Sequence, residues 1–259
     1  MSDETHERHF ATREYHTSKA VKSGAVKRFT GMMKKIAVAG NGGSFSERAA
    51  MKYVDDRYDA EQESSGLSKV LIIYAITAEG VLTALKNGVA DIGIFATHNN
   101  HGGIAKENMQ SAAEHRWKLE TTVDLPVEHM LMMRRGRWLP NINRVDTIVT
   151  QPQAFEQCKK TVARWNGLRR MFGYQDIEII MYEDTATAAE HLADGTLKKK
   201  YPQISLDRTA VIGPGASGSL HRLKNRSKGV NDYPNNTTTF AVARPHKEET
   251  AESTVAIDK

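Results

Sequence analysis

A single cysteine, Cys158, occurs among the 259 residues. No intramolecular disulfide can form, and such sparse cysteine fits a reducing compartment. No apolar run approaches the ~20 residues needed to cross a bilayer, and the N-terminus lacks the apolar stretch of a secretory signal. A cytoplasmic protein without a membrane partner is therefore expected. The histidines and Cys158 fall at no zinc-ligand spacing, so no metal is expected. Charge imbalance is scarce outside the N-terminal segment. The net charge is +5, but residues 1–35 carry eight Lys/Arg against four Asp/Glu, leaving +1 for the remainder. So small an excess gives no reason to expect nucleic acid binding by the body of the chain.

What is present suits a globular protein: 39% apolar and 26% charged residues, close to ordinary usage. Residues 1–32 show high charge and no sustained apolar period, and are expected to be a disordered leader. Residues 246–259 read as a polar tail. The body, 33–245, is organised around Ile36-Ala-Val-Ala-Gly-Asn-Gly-Gly-Ser-Phe-Ser-Glu-Arg-Ala-Ala50. The four small apolar residues at its start predict a strand buried on both faces. Gly40, Gly42 and Gly43 permit a tight turn. Ser44 with Glu47 three residues on is a capping-box pattern, and Phe45, Ala49, Ala50, Tyr53 and Val54 share one helical face. Free N–H groups at such a helix start make a natural anion site, to which Ser44 and Ser46 add hydroxyls; the local pattern by itself fits a well-capped βα turn without a ligand better still. The glycine spacing matches neither the dinucleotide fingerprint nor the P-loop.

Strand and helix patterns alternate from there. Val70–Ile76 reads as a buried strand, Thr77 caps a helix ending at Asn87-Gly88, and Asp91–Phe95 is the next strand. This βαβαβ order predicts an α/β fold with a parallel sheet. Val123–Met133 reads as one long strand, followed by a solvated turn with Arg134, Arg135 and Arg137. A second set begins at Val145: a strand over 146–150, a helix carrying Phe155, Cys158, Val162 and Trp165, a strand over 177–181, a helix from Thr185, and strands over 210–213 and 238–243. Arg222, Lys224, Arg226 and Lys228 are expected to be solvated. Two such sets predict two lobes with a ligand cleft between them.

Five segments, in order, resemble the prephenate dehydratase family. Gly40–Ala50 resembles its opening glycine-rich segment, and Gly88–Gly103 its G-x-A-D-x-x-V-x-P-I-E-N-S-x-x-G segment. Val127–Leu131 resembles I-x-H-x-L, Val149–Cys158 resembles V-x-S-H-P-Q-A-L-x-Q-C, and Asp232–Phe240 resembles D-x-x-x-N-x-T-R-F. Asp184–Ala189 is similar to the family's S-T-A-x-A-A helix start.

The resemblance implies a two-lobed α/β domain similar to type II periplasmic binding proteins, a cleft active site, a homodimer or tetramer, and no cofactor. It implies loss of the ring hydroxyl and a carboxylate from prephenate, giving phenylpyruvate, CO2 and water in phenylalanine biosynthesis. The implied catalytic residues are Thr238, which meets the leaving hydroxyl, with Asn99, Gln157 and Thr150. Gly43, Ser44, Ser46, His98, Asn100, Thr185 and Thr239 are the implied binding residues for a small dianion. Several family positions differ: the arginine of T-R-F is Thr239, the glutamate of E-N-S is His98 and its serine Asn100, and the histidine of S-H-P-Q is Gln151. His129 keeps the family histidine, for which a structural role weighs at least as much. The stretch after Phe240 is too short for the regulatory ACT domain of bacterial members, so feedback through one is not expected. Three classes follow: the dehydratase, a non-aromatising prephenate decarboxylase of the bacilysin-pathway kind in which His98 protonates the ring, and a non-catalytic binder of a small organic anion.

Overall fold

The apolar runs of the sequence form the inner strands of two β-sheets in a computed structural model that describes residues 11–16, 34–61, 69–135, 142–227 and 229–246. The first sheet holds β1 (Ala11–His16), β2 (Lys34–Val38), β3 (Lys69–Tyr74), β4 (Ile92–Asn99), β5 (Gly103–Ile104), β6 (Trp117–Pro126) and β12 (Thr237–Pro245). Its order is β1-β3-β2-β4-β12-β6, with β5 on β4. Strands β2, β3 and β4 run parallel, whereas β12 is antiparallel to both of its neighbours. The second sheet is β11-β7-β10-β8-β9, formed by β7 (His129–Met133), β8 (Thr147–Thr150), β9 (Glu178–Met181), β10 (Thr209–Pro214) and β11 (Lys224–Ser227). The result is the expected two-lobed α/β architecture.

Each sheet is covered on both faces, which explains its continuous apolar strands. Ile36, Val38, Ile92 and Ile94 pack toward helix α1 (Phe45–Glu61) through Ala49, Tyr53 and Val54. On the other face, Ala37, Ile73 and Phe95 meet Val81, Leu82 and Leu85 of α2 (Ala78–Lys86) and Ala112 of α3 (Lys106–Glu114). In the second lobe, Val149 and Val211 pack with Ala188, Ala189 and Leu192 of α6 (Thr185–Asp194) and Leu197 of α7 (Thr196–Lys200). Ile148 and Ile212 pack with Cys158 and with Val162 of α5 (Lys159–Met171). Two short helices, α4 (Pro152–Glu156) and α8 (Gly215–Leu220), complete the lobe.

The structure amends three expectations. Ala11–His16, inside the expected leader, pairs antiparallel with β3; the other residues of 1–32 lie outside the described residues, as do 247–259 of the expected tail. The stretch 123–133 is not one strand. It breaks after Pro126, where the chain leaves the first sheet, and resumes at His129 in the second. Arg222 and Lys224 are exposed as expected, but Lys224–Ser227 forms an edge strand on β7 in which Arg226 is half-buried; Lys228, like Arg137, lies outside the described residues. A charged edge strand with one face outward carries no apolar signature.

The chain crosses between lobes twice, at 127–128 and at 229–236. The crossings are bonded to each other: Val127 N–H donates to Asn236 O at 2.8 Å, His129 N–H to Asn231 Oδ1 at 2.7 Å, and Asn231 Nδ2 to Val127 O at 3.2 Å. Asp232 then ties the second crossing to α5, accepting from the N–H groups of Lys160 and Thr161.

Candidate active site

A cleft of about 160 Å³ lies between the lobes, with Val127 of the first crossing in its lining. The first lobe contributes the glycine turn and the start of α1. Gly40 and Gly43 take φ of +135° and +83°, conformations that favour glycine. Ser44 Oγ accepts from Glu47 N–H at 3.2 Å, and the Glu47 carboxylate accepts from Gly43 N–H and from the Tyr74 hydroxyl. This is the capping box of the sequence, with the glutamate reaching one residue further back and turned away from the cleft. Ser44, Phe45 and Ser46 line the cleft itself. Gly43 also touches the opposite lobe: a Cβ there would lie 2.5 Å from Ser217 Cα and 2.6 Å from its nitrogen. Beside it, Asn41 Nδ2 donates to Glu190 Oε2 at 3.2 Å.

Ile76 projects from the rim in a tight turn. Thr77 N–H donates to Ala75 O at 2.7 Å, and Ile76 between them has φ +64°, a strained conformation for a β-branched residue. Gly80 makes room for this turn, since a Cβ there would sit 2.2 Å from Ala75 O.

The central polar groups form a chain whose hydrogen-bond directions follow from its ends. The N–H groups of His101 and Gly102 can only donate, and they meet Asn99 Oδ1 at 3.0 and 2.7 Å. The other amide atom of Asn99 is therefore the NH2. It donates to Thr238 Oγ1 at 2.8 Å, to Asn236 Oδ1 at 2.7 Å and to Thr237 O at 3.1 Å. Asn236 Nδ2 must then donate to Gln157 Oε1, at 2.6 Å. His129 Nε2 lies 3.0 Å from the same oxygen, so it carries the ring proton. Among the described residues, the sequence of donors leaves two groups free at the cleft wall: the Thr238 hydroxyl proton and Gln157 Nε2. His129 is fully buried, and desolvation lowers its pKa to about 4 against the weaker opposing pull of Gln157. Its ring is neutral at pH 7, and its Nδ1 has no partner among the described residues.

A β-bulge decides which residues of β4 face this network. Thr238 pairs with Asn99 and Thr239 with His98, but Phe240 pairs with Ala96, so Thr97 is the extra residue. The bulge puts Ala96 and Asn99 on the cleft side and turns His98 away.

The sequence-derived site residues divide accordingly. Thr238, Gln157, Ser44, Ser46 and Thr185 line the cleft. Asn99 sits behind Thr238 and orients it. Gly43 is in the turn but touches Ser217. Thr150 is fully buried and ties β8 to β10 by donating to Ile212 O at 3.0 Å. His98 is exposed outside the lining, which removes the geometric basis for its ring-protonating role. Thr239 donates to Asp124 Oδ1 at 2.6 Å, and Asn100 bonds the backbone at Asn235 and Thr237. Neither Thr239 nor Asn100 lines the cleft. Sequence reading did not single out Asn236, Gln153, Asn108, Glu183 or Ile76. Asn236 and Gln153 lay inside quoted motifs, while Asn108, Glu183 and Ile76 gave no functional signal. Cys158 is fully buried in the second lobe's core outside the cleft lining, and burial pushes its thiol up to about 12.

The sequence profile described as "Prephenate dehydratase" matches residues 36–248. The chain is 23% identical over 208 residues to a bifunctional chorismate mutase/prephenate dehydratase of Enterobacter agglomerans, covering 80% of this chain and 46% of that protein. It is 24% identical over 210 residues to arogenate dehydratase/prephenate dehydratase 1 of Arabidopsis thaliana, covering 80% and 44%. The chain thus spans less than half the length of these curated relatives. Prephenate dehydratase from Arthrobacter aurescens, solved in complex with L-Phe, superposes with a TM-score of 0.62 at 18% identity over 83% of this chain and 61% of that one; that likeness concerns the fold.

Proposed function

The chain belongs to the prephenate dehydratase family, and on that premise we propose that its cleft aromatises a prephenate-type substrate, either prephenate or its amino counterpart arogenate. In this reaction the electron pair of the bond to the ring carboxylate moves into the ring. CO2 leaves, and the ring hydroxyl departs with its bonding pair and is protonated to water. The observation that carries the reading is the amide chain ending at Thr238. Asn99 occupies the hydroxyl oxygen as a donor, so the hydroxyl proton is available to the departing oxygen. Gln157 Nε2 is a second donor on the same wall. The α1 start, with Ser44 and Ser46, suits one substrate carboxylate, and Phe45, Val127 and Phe240 provide apolar surface for the ring.

Incubation with prephenate and with arogenate in separate reactions, followed by ultraviolet absorbance and mass analysis, tests this. The expected product is aromatic and lighter by CO2 and water. A non-aromatic product lighter by CO2 alone would assign the decarboxylase instead. Two unchanged substrates would remove both enzymatic readings.

A further inference from the structure

Among the described residues, the cleft lining contains no lysine and no arginine, yet it contains two carboxylates, Glu183 and Asp184. Both precede helix α6. Asp184 Oδ2 accepts from Thr187 N–H at 2.7 Å and from Thr187 Oγ1 at 2.8 Å, so this helix start already holds its counter-charge. At the α1 start the corresponding carboxylate, Glu47, bonds Gly43 N–H and the Tyr74 hydroxyl outside the cleft lining, which there shows only the Ser44 and Ser46 side chains as polar groups. Glu183 is exposed at the rim and makes no hydrogen bond or ion pair with a described residue. Thr185 beside it is 6% exposed, lines the cleft, and leaves its hydroxyl unpartnered among the described residues. The first lobe thus brings hydroxyls to the cleft, and the second brings two carboxylates with a hydrogen-bonding neighbour.

We propose that Glu183, with Asp184 behind it, receives an ammonium group on the ligand, so that the cleft selects the α-amino acid form of its substrate over the α-keto dianion. This rests on the dehydratase reading of the same cleft. Prephenate and arogenate share two carboxylates, and only arogenate adds an ammonium. A wall with two carboxylates and no cation repels the dianion, and this repulsion grows in a partly desolvated cleft. The same wall offers the ammonium charge-assisted partners.

The test is the ratio of kcat/KM for arogenate to that for prephenate in the wild type, Glu183→Gln and Glu183→Lys. The wild type should favour arogenate. Glu183→Gln should lower the ratio by roughly ten- to a hundredfold, the scale of one charged hydrogen bond. Glu183→Lys should lower it further, toward prephenate. Because Glu183 is exposed, unchanged unfolding temperatures are expected and separate the effect from misfolding. A wild-type preference for prephenate, or a ratio unmoved by both variants, overturns the proposal. If the wild type turns over neither compound, the dehydratase reading fails on its own. Titration calorimetry with both compounds and the same three proteins then decides the ammonium preference by the same ratio, taken over dissociation constants.

Discussion

The Asn99 side chain donates to the Thr238 hydroxyl oxygen at 2.8 Å, joining residues 139 positions apart in sequence. The direction of that bond is fixed from behind by the N–H groups of His101 and Gly102. A threonine that must accept from one side can donate only to the other, which is toward the cleft.

Thr238→Val should therefore lower kcat by on the order of 10²-fold or more, while Thr238→Ser keeps most of the activity. Asn99 Nδ2 retains Asn236 and Thr237 O as acceptors, so the valine variant should lose only about 1 kcal/mol of stability. Steady-state kinetics paired with denaturant unfolding check both halves. A valine variant with wild-type kcat would exclude the hydroxyl from the chemistry.

His129 makes stability depend on pH. Its folded pKa is about 4, below the ~6.5 of an unfolded histidine. Between these values the unfolded chain binds the extra proton, so stability rises with pH across this window and is lost as pH falls from 6.5 toward 4. The full effect is on the order of 3 kcal/mol. His129→Asn should flatten that part of the stability–pH curve, measured by denaturant unfolding at closely spaced pH values. An unchanged slope would mean that the ring is already protonated in the folded protein.

Gly43→Ala should destabilise by roughly 2 kcal/mol or more, since it adds a left-handed backbone penalty to a backbone clash. The clash is with Ser217 Cα and nitrogen, so Ser217→Gly cannot relieve it. Ser217→Gly has its own cost, because it removes the buried Ser217 hydroxyl bond to Pro214 O, so thermal unfolding of both singles and the double is the check, the expectation being that Gly43→Ala causes the same loss with and without Ser217→Gly.

Ile76→Gly should separate stability from binding. Glycine removes about 1–2 kcal/mol of left-handed strain and adds back roughly 0.5–1 kcal/mol of unfolded-state entropy. Stability should hold or rise slightly. Ligand affinity should fall, because the side chain that the turn presents to the cleft is gone. Calorimetric binding and unfolding of the same variant give both readings.

The lobes and their strands were legible because strands covered on both faces are written in continuous apolar runs, as at Ile36–Val38 and Ala210–Ile212. The turn of α1 was legible because Ser44 and Glu47 cap it locally. The face of β4 was not. Strict alternation from Ala96 selects His98, and only the bulge at Thr97 brings Asn99 round instead; nothing in Ala-Thr-His-Asn announces it. Glu183 was silent because an exposed glutamate before a helix looks like any solvated one until the opposite wall is seen to lack cations.

The position of β12 has a consequence for biosynthesis. Residues 237–245 insert between β4 and β6 and so supply an interior strand of the first sheet. The second sheet uses only residues 129–227 and needs nothing made later. As the chain emerges, the second lobe can complete itself while the first still lacks an interior strand, with the facing edges of β4 and β6 unpaired. The half of the protein begun first is finished last, and closing it requires a contact that spans more than a hundred residues. Thr238 lies on that closing strand, so its hydroxyl enters the cleft in the same step that completes the fold.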